Sequence, residues 1–271
     1  MKTTLNYSHW KKDHESTLEN LSDKNIFMLY SGGKDSSVTM DLIARAGKEF
    51  GFDFQAHVGA YPVHRYTDQE KSRIESYWNK RDVNITWHDM GETDEYIDTS
   101  DKPCIGCQEL RKKLMRQILA DTIEDWNSLV LIVGYSLWDL VSYAAEHLLG
   151  STLAKDDPEN YTEKQKRFRE IAQRFYPLLK MNEGYTIYRP LLKYNNDDIN
   201  NLLAKENIPT LMIPCKYKDF RPKRILDKYY ERMDLYFDYN RLFDFAKTSL
   251  NIPDMSSYTS IGKEEFLGDV F

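Results

Sequence analysis

The sequence predicts an α/β protein, a doubly wound parallel sheet followed by a helical C-terminal extension. Three observations carry this. From Asn25 onward, short apolar runs alternate with segments of helical spacing. One run, Leu129-Val130-Leu131-Ile132-Val133-Gly134, is apolar throughout, as strands covered on both faces are. The first run, Asn25-Ile26-Phe27-Met28-Leu29-Tyr30, passes directly into the turn Ser31-Gly32-Gly33 and then into Val38-Thr39-Met40-Asp41-Leu42-Ile43-Ala44. That is the strand, glycine turn and helix from which such sheets are built.

The elements follow in order. Residues 1–24 are polar and read as an amphipathic helical segment. The main domain is expected over 25–215. Its second strand is expected at Phe52-Asp53-Phe54-Gln55-Ala56-His57-Val58, a charged helix from Asp68 to Lys80, and a third strand at Val83-Asn84-Ile85-Thr86-Trp87-His88. An acidic irregular connector runs from Glu92 to Lys102, and helical spacing returns from Leu110 to Ile123. Residues 151–174 are highly charged and read as an exposed insertion with a helix, either a solvated face or a lid over the site. Thr186-Ile187-Tyr188-Arg189-Pro190-Leu191 leads to a helix from Asn196 to Glu206. The extension, 216–271, reads as helical from about Pro222 to Leu250.

Composition bounds the function. The chain has 271 residues, 41% of them hydrophobic, enough for one large domain with an appendage. No apolar run approaches the length of a membrane span. The first residues, Met1-Lys2-Thr3-Thr4-Leu5-Asn6, lack a signal-peptide core, so a cytoplasmic protein is expected. The net charge of −6 is opposite to the footprint of most nucleic-acid binders.

Ser31-Gly32-Gly33-Lys34-Asp35-Ser36-Ser37 reads as a phosphate cradle. Glycines allow close backbone approach, and a helix N-terminus offers free N–H groups and a positive dipole end. Lys34 adds a mobile cation, and Ser36 or Ser37 is expected to cap the helix. The stretch is shorter than the glycine-lysine loop of most ATPases.

The only cysteines are Cys104, Cys107 and Cys215, too few and too odd a number for a disulfide framework. Cys104-Ile105-Gly106-Cys107 puts two thiolates on one turn. Three cysteines exclude an all-cysteine zinc site. Zinc with three cysteines and one histidine, an iron–sulfur cluster with one iron left free, and a persulfide resolved by a second cysteine all stay open.

The heptapeptide resembles the SGGxDS signature of the PP-loop ATP pyrophosphatases, or adenine nucleotide alpha hydrolases, which have a Rossmann-like sheet. The resemblance implies ATP cleaved between its α and β phosphates, with AMP placed on a substrate oxygen. Three further segments resemble the tRNA 2-thiocytidine synthetase family within that group. They are Cys104 to Arg111, Arg189-Pro190-Leu191 with Asp197-Asp198-Ile199, and Ile208-Pro209 with Ile213-Pro214-Cys215. The agreement in order and spacing runs from about Asn25 to Pro253. By this resemblance Ser31, Gly32, Gly33, Lys34, Asp35, Ser36, Ser37 and Gly134 bind ATP. Cys104, Cys107 and Cys215 hold a [4Fe–4S] cluster, Mg²⁺ and Lys34 neutralise the pyrophosphate, and Lys34, Asp35, Asp139, Cys107 and Cys215 are catalytic. It also implies a sulfur donor, such as sulfide or a cysteine desulfurase or lyase, and a homodimer.

One departure stands out. Where the family shows GHxxDDxxET, this chain reads Gly134-Tyr135-Ser136-Leu137-Trp138-Asp139-Leu140-Val141-Ser142-Tyr143. Only Asp139 keeps its acid. Trp138 and Tyr135 are then either base-stacking platforms or core aromatics, and Asp139 a ligand for a metal or a substrate amine. Two basic groups flank the cysteines: Arg111-Lys112-Lys113 with Arg116, and Lys216, Lys218, Arg221, Lys223 and Arg224. With the acidic balance, this favours a small nucleobase, nucleoside or nucleotide substrate, as in 6-thioguanine-type biosynthesis, over tRNA. An adenylylsulfate-type reductase and a non-catalytic nucleotide sensor are the readings from other classes.

Overall fold

In the computed structural model, residues 5–60, 66–89, 95–99, 103–154, 161–211, 215, 217 and 221–271 are described. A helix α1 (Tyr7–Leu18) precedes strand β1 (Asn25–Leu29). Then come α2 (Lys34–Phe50), β2 (Gln55–Ala60), α3 (Asp68–Asn79), β3 (Ile85–Asp89), the short α4 (Glu95–Asp98), α5 (Pro103–Thr122), β4 (Leu129–Val133) and α6 (Leu137–His147). They are followed by α7 (Tyr161–Ala172), β5 (Leu178–Lys180), β6 (Thr186–Tyr188), α8 (Asn196–Lys205), α9 (Pro222–Arg232), α10 (Tyr239–Thr248), α11 (Ser256–Thr259) and α12 (Lys263–Glu265).

The strands form one six-stranded sheet in the order β3-β2-β1-β4-β6-β5. All neighbours are parallel except β5, which runs against β6. The chain therefore starts in the middle at β1, builds outward to β3, and then returns to place β4 on the other side of β1. The carboxyl ends of β1 and β4 flank the point where the winding reverses, and open α/β sheets take their ligands there.

Alternation along the strands divides the interior in two. Ile26, Met28, Val130 and Ile132 face a core closed by α2, α3 and α8. Phe27, Leu129, Leu131 and Val133 face the opposite core, closed by α5, α6, α10 and the C-terminal segment. Burial of β4 on both faces explains why its sequence shows no polar alternation. Among the described residues, no helix is long and apolar enough to cross a membrane.

Three details differ from expectation. Helix α5 begins at Pro103, not Leu110, because proline suits the first helical position and the two cysteines lie inside the first turn. The hairpin partner β5 is only three residues long, too short to show a period. The charged 151–174 segment is not exposed throughout: Glu170, Gln173 and Arg174 are buried against the second core. Residues 155–160 of that segment lie outside the described residues.

Candidate active site

The glycine turn leaves β1 at the winding reversal. Gly32 has φ +73°, a left-handed backbone that L side chains adopt only with strain. A Cβ on Gly32 would also overlap Leu211, whose own Cβ would be 2.7 Å away. The Leu211 N–H donates to the Gly32 carbonyl at 2.7 Å, so the segment after α8 clamps the turn.

Neither serine caps α2; Gly33 occupies that position and has no side chain to offer. Instead the serines tie the turn to itself. Ser36 Oγ donates to the Gly33 carbonyl at 3.0 Å and lies 3.0 Å from Ser31 Oγ, while Ser31 Oγ accepts from the Gly33 N–H at 3.3 Å. Ser37 shares a hydrogen bond with the Tyr30 hydroxyl. The helix thus begins without a side-chain cap, and its first N–H groups suit an anion. Lys34 rests on Asp35 at 2.6 Å, half-buried beside the turn.

Gly134 ends β4 against the same helix. A Cβ there would stand 3.0 Å from Ser36 Cα and 3.1 Å from its nitrogen. The first turn of α2 and the mouth of β4 are therefore in direct contact. Two residues on, Ser136 and Asp139 cap α6 reciprocally: Asp139 Oδ2 accepts from the Ser136 N–H at 2.8 Å and its hydroxyl at 2.9 Å.

The other Asp139 oxygen is taken by Lys223 of α9. Burial works to raise the Asp139 carboxyl, but Lys223, the Ser136 N–H and Lys34 outweigh it and hold it below the usual carboxylate range. The expected partner, a metal or substrate amine, is here a protein amine. Asp227, one helical turn after Lys223, looks into the same group of charges. Burial, with Asp139 and Asp35 nearby, raises its carboxyl to about 6 against the pull of Lys223 and Lys34. One Asp227 oxygen is buried without a hydrogen-bond partner. Sequence reasoning placed Lys223 only in a general basic patch and passed over Asp227. The signal was their spacing of four, which sets both on one face of α9.

Trp138 is not open to a base. It is 2% exposed, its indole N–H donates to Asn195 Oδ1 at 3.2 Å, and Tyr230 meets it edge-on at 5.3 Å. Tyr135, half-buried, stays near the surface, with the Arg174 guanidinium 5.4 Å over its ring. The Arg189-Pro190-Leu191 and Asp198-Ile199 pieces hold the frame. Arg189 is fully buried and donates to the Tyr176 carbonyl at 2.8 Å, and Asp198 caps α8 by accepting from the Asn195 N–H at 2.9 Å.

Cys215, more than a hundred residues along the chain, comes near enough to Cys107 to act on its thiol, as does Cys104. Cys104 is partly exposed, and Cys107 and Cys215 are buried. Burial pushes the Cys107 thiol up; Arg111 and Arg221 pull it back, and Cys215 and Cys104 are near enough to push it further. Arg221 and Lys223 stand two residues apart at the start of α9; the first acts electrostatically on the Cys107 thiol and the second pairs with Asp139. Among the described residues, no three His, Cys, Asp or Glu side chains stand at metal-binding spacing. The donor chemistry, three soft thiols beside two arginines, fits a thiolate-held iron–sulfur group. Ile213, Pro214, Lys216 and Lys218 lie outside the described residues.

No protein-family model matches the chain, and no curated protein matches it. Solved structures do. A U34-tRNA thiolase from Methanococcus maripaludis, determined with its [4Fe–4S] cluster, superposes with a TM-score of 0.60 at 15% identity, over 92% of this chain and 81% of that one. The NH3-dependent NAD synthetase of Campylobacter jejuni, with a TM-score of 0.45 at 13% identity over 91% and 94%, is too loosely alike to argue from. Sheet order, the glycine turn at the winding reversal and the first of these likenesses agree: the chain has the fold of the PP-loop adenine nucleotide alpha hydrolases.

Proposed function

We propose that the protein uses ATP to activate a carbonyl oxygen of a nucleobase and replaces that oxygen with sulfur. The observation that supports this is the start of α9, where Arg221 acts electrostatically on the Cys107 thiol and Lys223, two residues on, pairs with Asp139 at the mouth of β4. In this reading the sulfur chemistry and the phosphate chemistry flank the start of α9.

In this reading the N–H groups at the start of α2 hold the ATP phosphates, with Ser31, Gly32, Gly33, Ser36, Ser37 and Gly134 shaping the cradle. Lys34 offsets the negative charge that grows on the pyrophosphate. Asp35 orients Lys34, and the Asp139–Lys223 pair fixes the rim of the site. The base oxygen attacks the α-phosphorus and the bond to pyrophosphate breaks. A hydrosulfide ion then forms the C–S bond as the C–O bond to AMP breaks. With sulfide as donor nothing is oxidised or reduced. Mg²⁺ would enter with the nucleotide and screen its phosphates. Cys104, Cys107 and Cys215 would hold a [4Fe–4S] cluster, which supplies an iron site with affinity for sulfide.

A tRNA base is the second reading for the substrate. The structural likeness to a tRNA thiolase favours it, as do Arg111 and Arg221 beside the thiols. The test is anaerobic turnover with ATP, sulfide and, in turn, nucleobases, mononucleotides and unmodified tRNA. AMP, pyrophosphate and a thiolated product are expected from a brown protein. Release of ADP would overturn the ATP chemistry, and full activity from a colourless protein would overturn the cluster.

A further inference from the structure

Arg174 lies in the middle of the turn that follows α7, and it is 5% exposed. Its guanidinium carbon lies 4.9 Å from the Tyr143 ring centre and 5.4 Å from that of Tyr135. The Tyr143 hydroxyl is within its hydrogen-bonding reach. Its Nε, however, is buried with no partner.

The acids around it are already spent. Glu170 takes Lys112 and, at 3.0 Å, Arg167 Nη1. Glu146 takes Arg167 Nε at 2.7 Å and Nη2 at 3.1 Å. Arg189, near enough to repel Arg174, is wholly buried, and among the described residues its hydrogen bonds go to neutral groups, the Tyr176 carbonyl and the Gln173 side chain. Its Nε also lacks a partner, and burial lowers it to about 9. Lys112, Arg167 and Arg174 thus share Glu170, while Glu146 serves Arg167.

The tyrosines and Glu170 keep the Arg174 charge in place against its burial, but leaving a buried donor such as its Nε unpaired is costly. Aromatic faces offer no acceptor along the N–H bond of Nε. An oxyanion would do more, because a guanidinium meets two of its oxygens at once. The position also fits. Tyr135 directly follows Gly134, which touches the first turn of α2. Tyr143 is within electrostatic reach of both Arg174 and the Asp139–Lys223 pair.

We propose that Arg174 is an oxyanion-binding residue and that the group it receives is a phosphate of the substrate. The first half stands by itself; the second rests on the thiolation reading. It narrows the substrate class to a base that carries a phosphate, and away from a free base or nucleoside. The N-terminus of α2 serves the phosphates of ATP, so a second anion belongs to the other substrate.

The test is calorimetric titration of the full chain with inorganic phosphate, in a Lys34→Ala background that weakens the glycine-turn site. One phosphate site is expected to persist there, to weaken at least tenfold on adding Arg174→Gln, and to weaken less on adding Arg174→Lys. Equal affinity in all three would overturn the proposal. If Arg174→Gln does not fold, the Arg174 Nε–Hε resonance decides, assigned by comparison with Arg174→Lys. Movement with phosphate supports the site, and a resonance fixed up to tens of millimolar overturns it. Turnover then separates the two readings. Arg174→Lys should raise KM about tenfold for a phosphorylated substrate, leave kcat and leave nucleoside KM. Whether mononucleotide or tRNA shows this effect identifies the source of the phosphate. Thiolation with no such difference overturns the substrate-phosphate assignment alone. Phosphate binding with no thiolation of any base overturns the thiolation reading alone.

Discussion

Lys223 of α9 closes on Asp139 in the first turn of α6, across 84 residues of chain. Asp139 is buried, Lys223 is half-buried, and Asp139 is additionally held by the Ser136 N–H and hydroxyl. Removing one partner strands the other charge. Lys223 being partly solvated, Lys223→Met should cost about 1–3 kcal/mol in urea unfolding. Adding Asp139→Asn should return much of that loss. A double variant no more stable than Lys223→Met would rule out the ion pair as the cause. The carboxyl lies below its ordinary range, so its stabilisation is complete above that range and fades as the pH falls through the folded value.

Asp227 has the opposite sign. Its folded carboxyl is raised to about 6, so the folded state binds a proton that the unfolded chain has lost. Stability should fall as pH rises from about 4 to about 6, and the penalty should persist above that. Asp227→Asn should raise Tm at pH 7 and leave it nearly unchanged at pH 4. A Tm gain of equal size at both would contradict the assignment.

His57 and His88 share a 2.9 Å hydrogen bond between neighbouring strands, and His57 stacks on Phe27 with ring centres 3.7 Å apart. Burial, with His88 beside it, lowers His57 to about 4. Its stabilisation is complete above the ordinary histidine value and lost as pH falls from there toward 4. His57→Phe keeps a ring against Phe27 and should flatten the decline in Tm between pH 6.5 and 4. An unchanged decline would assign acid lability elsewhere.

Gly32→Ala meets two obstacles, a left-handed backbone and Leu211. Each is worth roughly 1–3 kcal/mol. The variant should lose both stability and ATP affinity, and Leu211→Ala in the same chain should recover part of the stability. No recovery would leave backbone strain as the whole effect.

Trp138→Phe should cost roughly 1 kcal/mol through the lost bond to Asn195. Turnover should stay within about twofold of the parent, because the ring is interior. A selective rise in KM for the base would restore Trp138 to the binding surface.

The parallel strands were legible because burial on both faces leaves unbroken apolar runs, as at Leu129 to Val133. The glycine turn was legible because its backbone geometry admits little else. The deeper parts of the site were not. Lys223 and Asp227 reach Asp139 from a distant helix, and local patterning carries no such pairing. Arg174 sat unnoticed in a charged stretch that reads as a solvated face. Its neighbours Ile171, Phe175 and Tyr176, all buried, mark that end as interior. Trp138 was ambiguous because an aromatic at the mouth of a strand serves a core or a ligand equally well.

The reversed strand β5 has a consequence for the sheet margin. It offers three residues, Leu178–Lys180, and the next N–H groups are already committed, Met181 to the Tyr185 carbonyl and Asn182 to the Thr259 carbonyl. A second chain approaching that side finds too short a rail to extend the ladder, and α11 stands over it. On this margin brevity and cover guard against edge-to-edge aggregation, and Pro177, directly before the strand, offers no N–H to lengthen the rail.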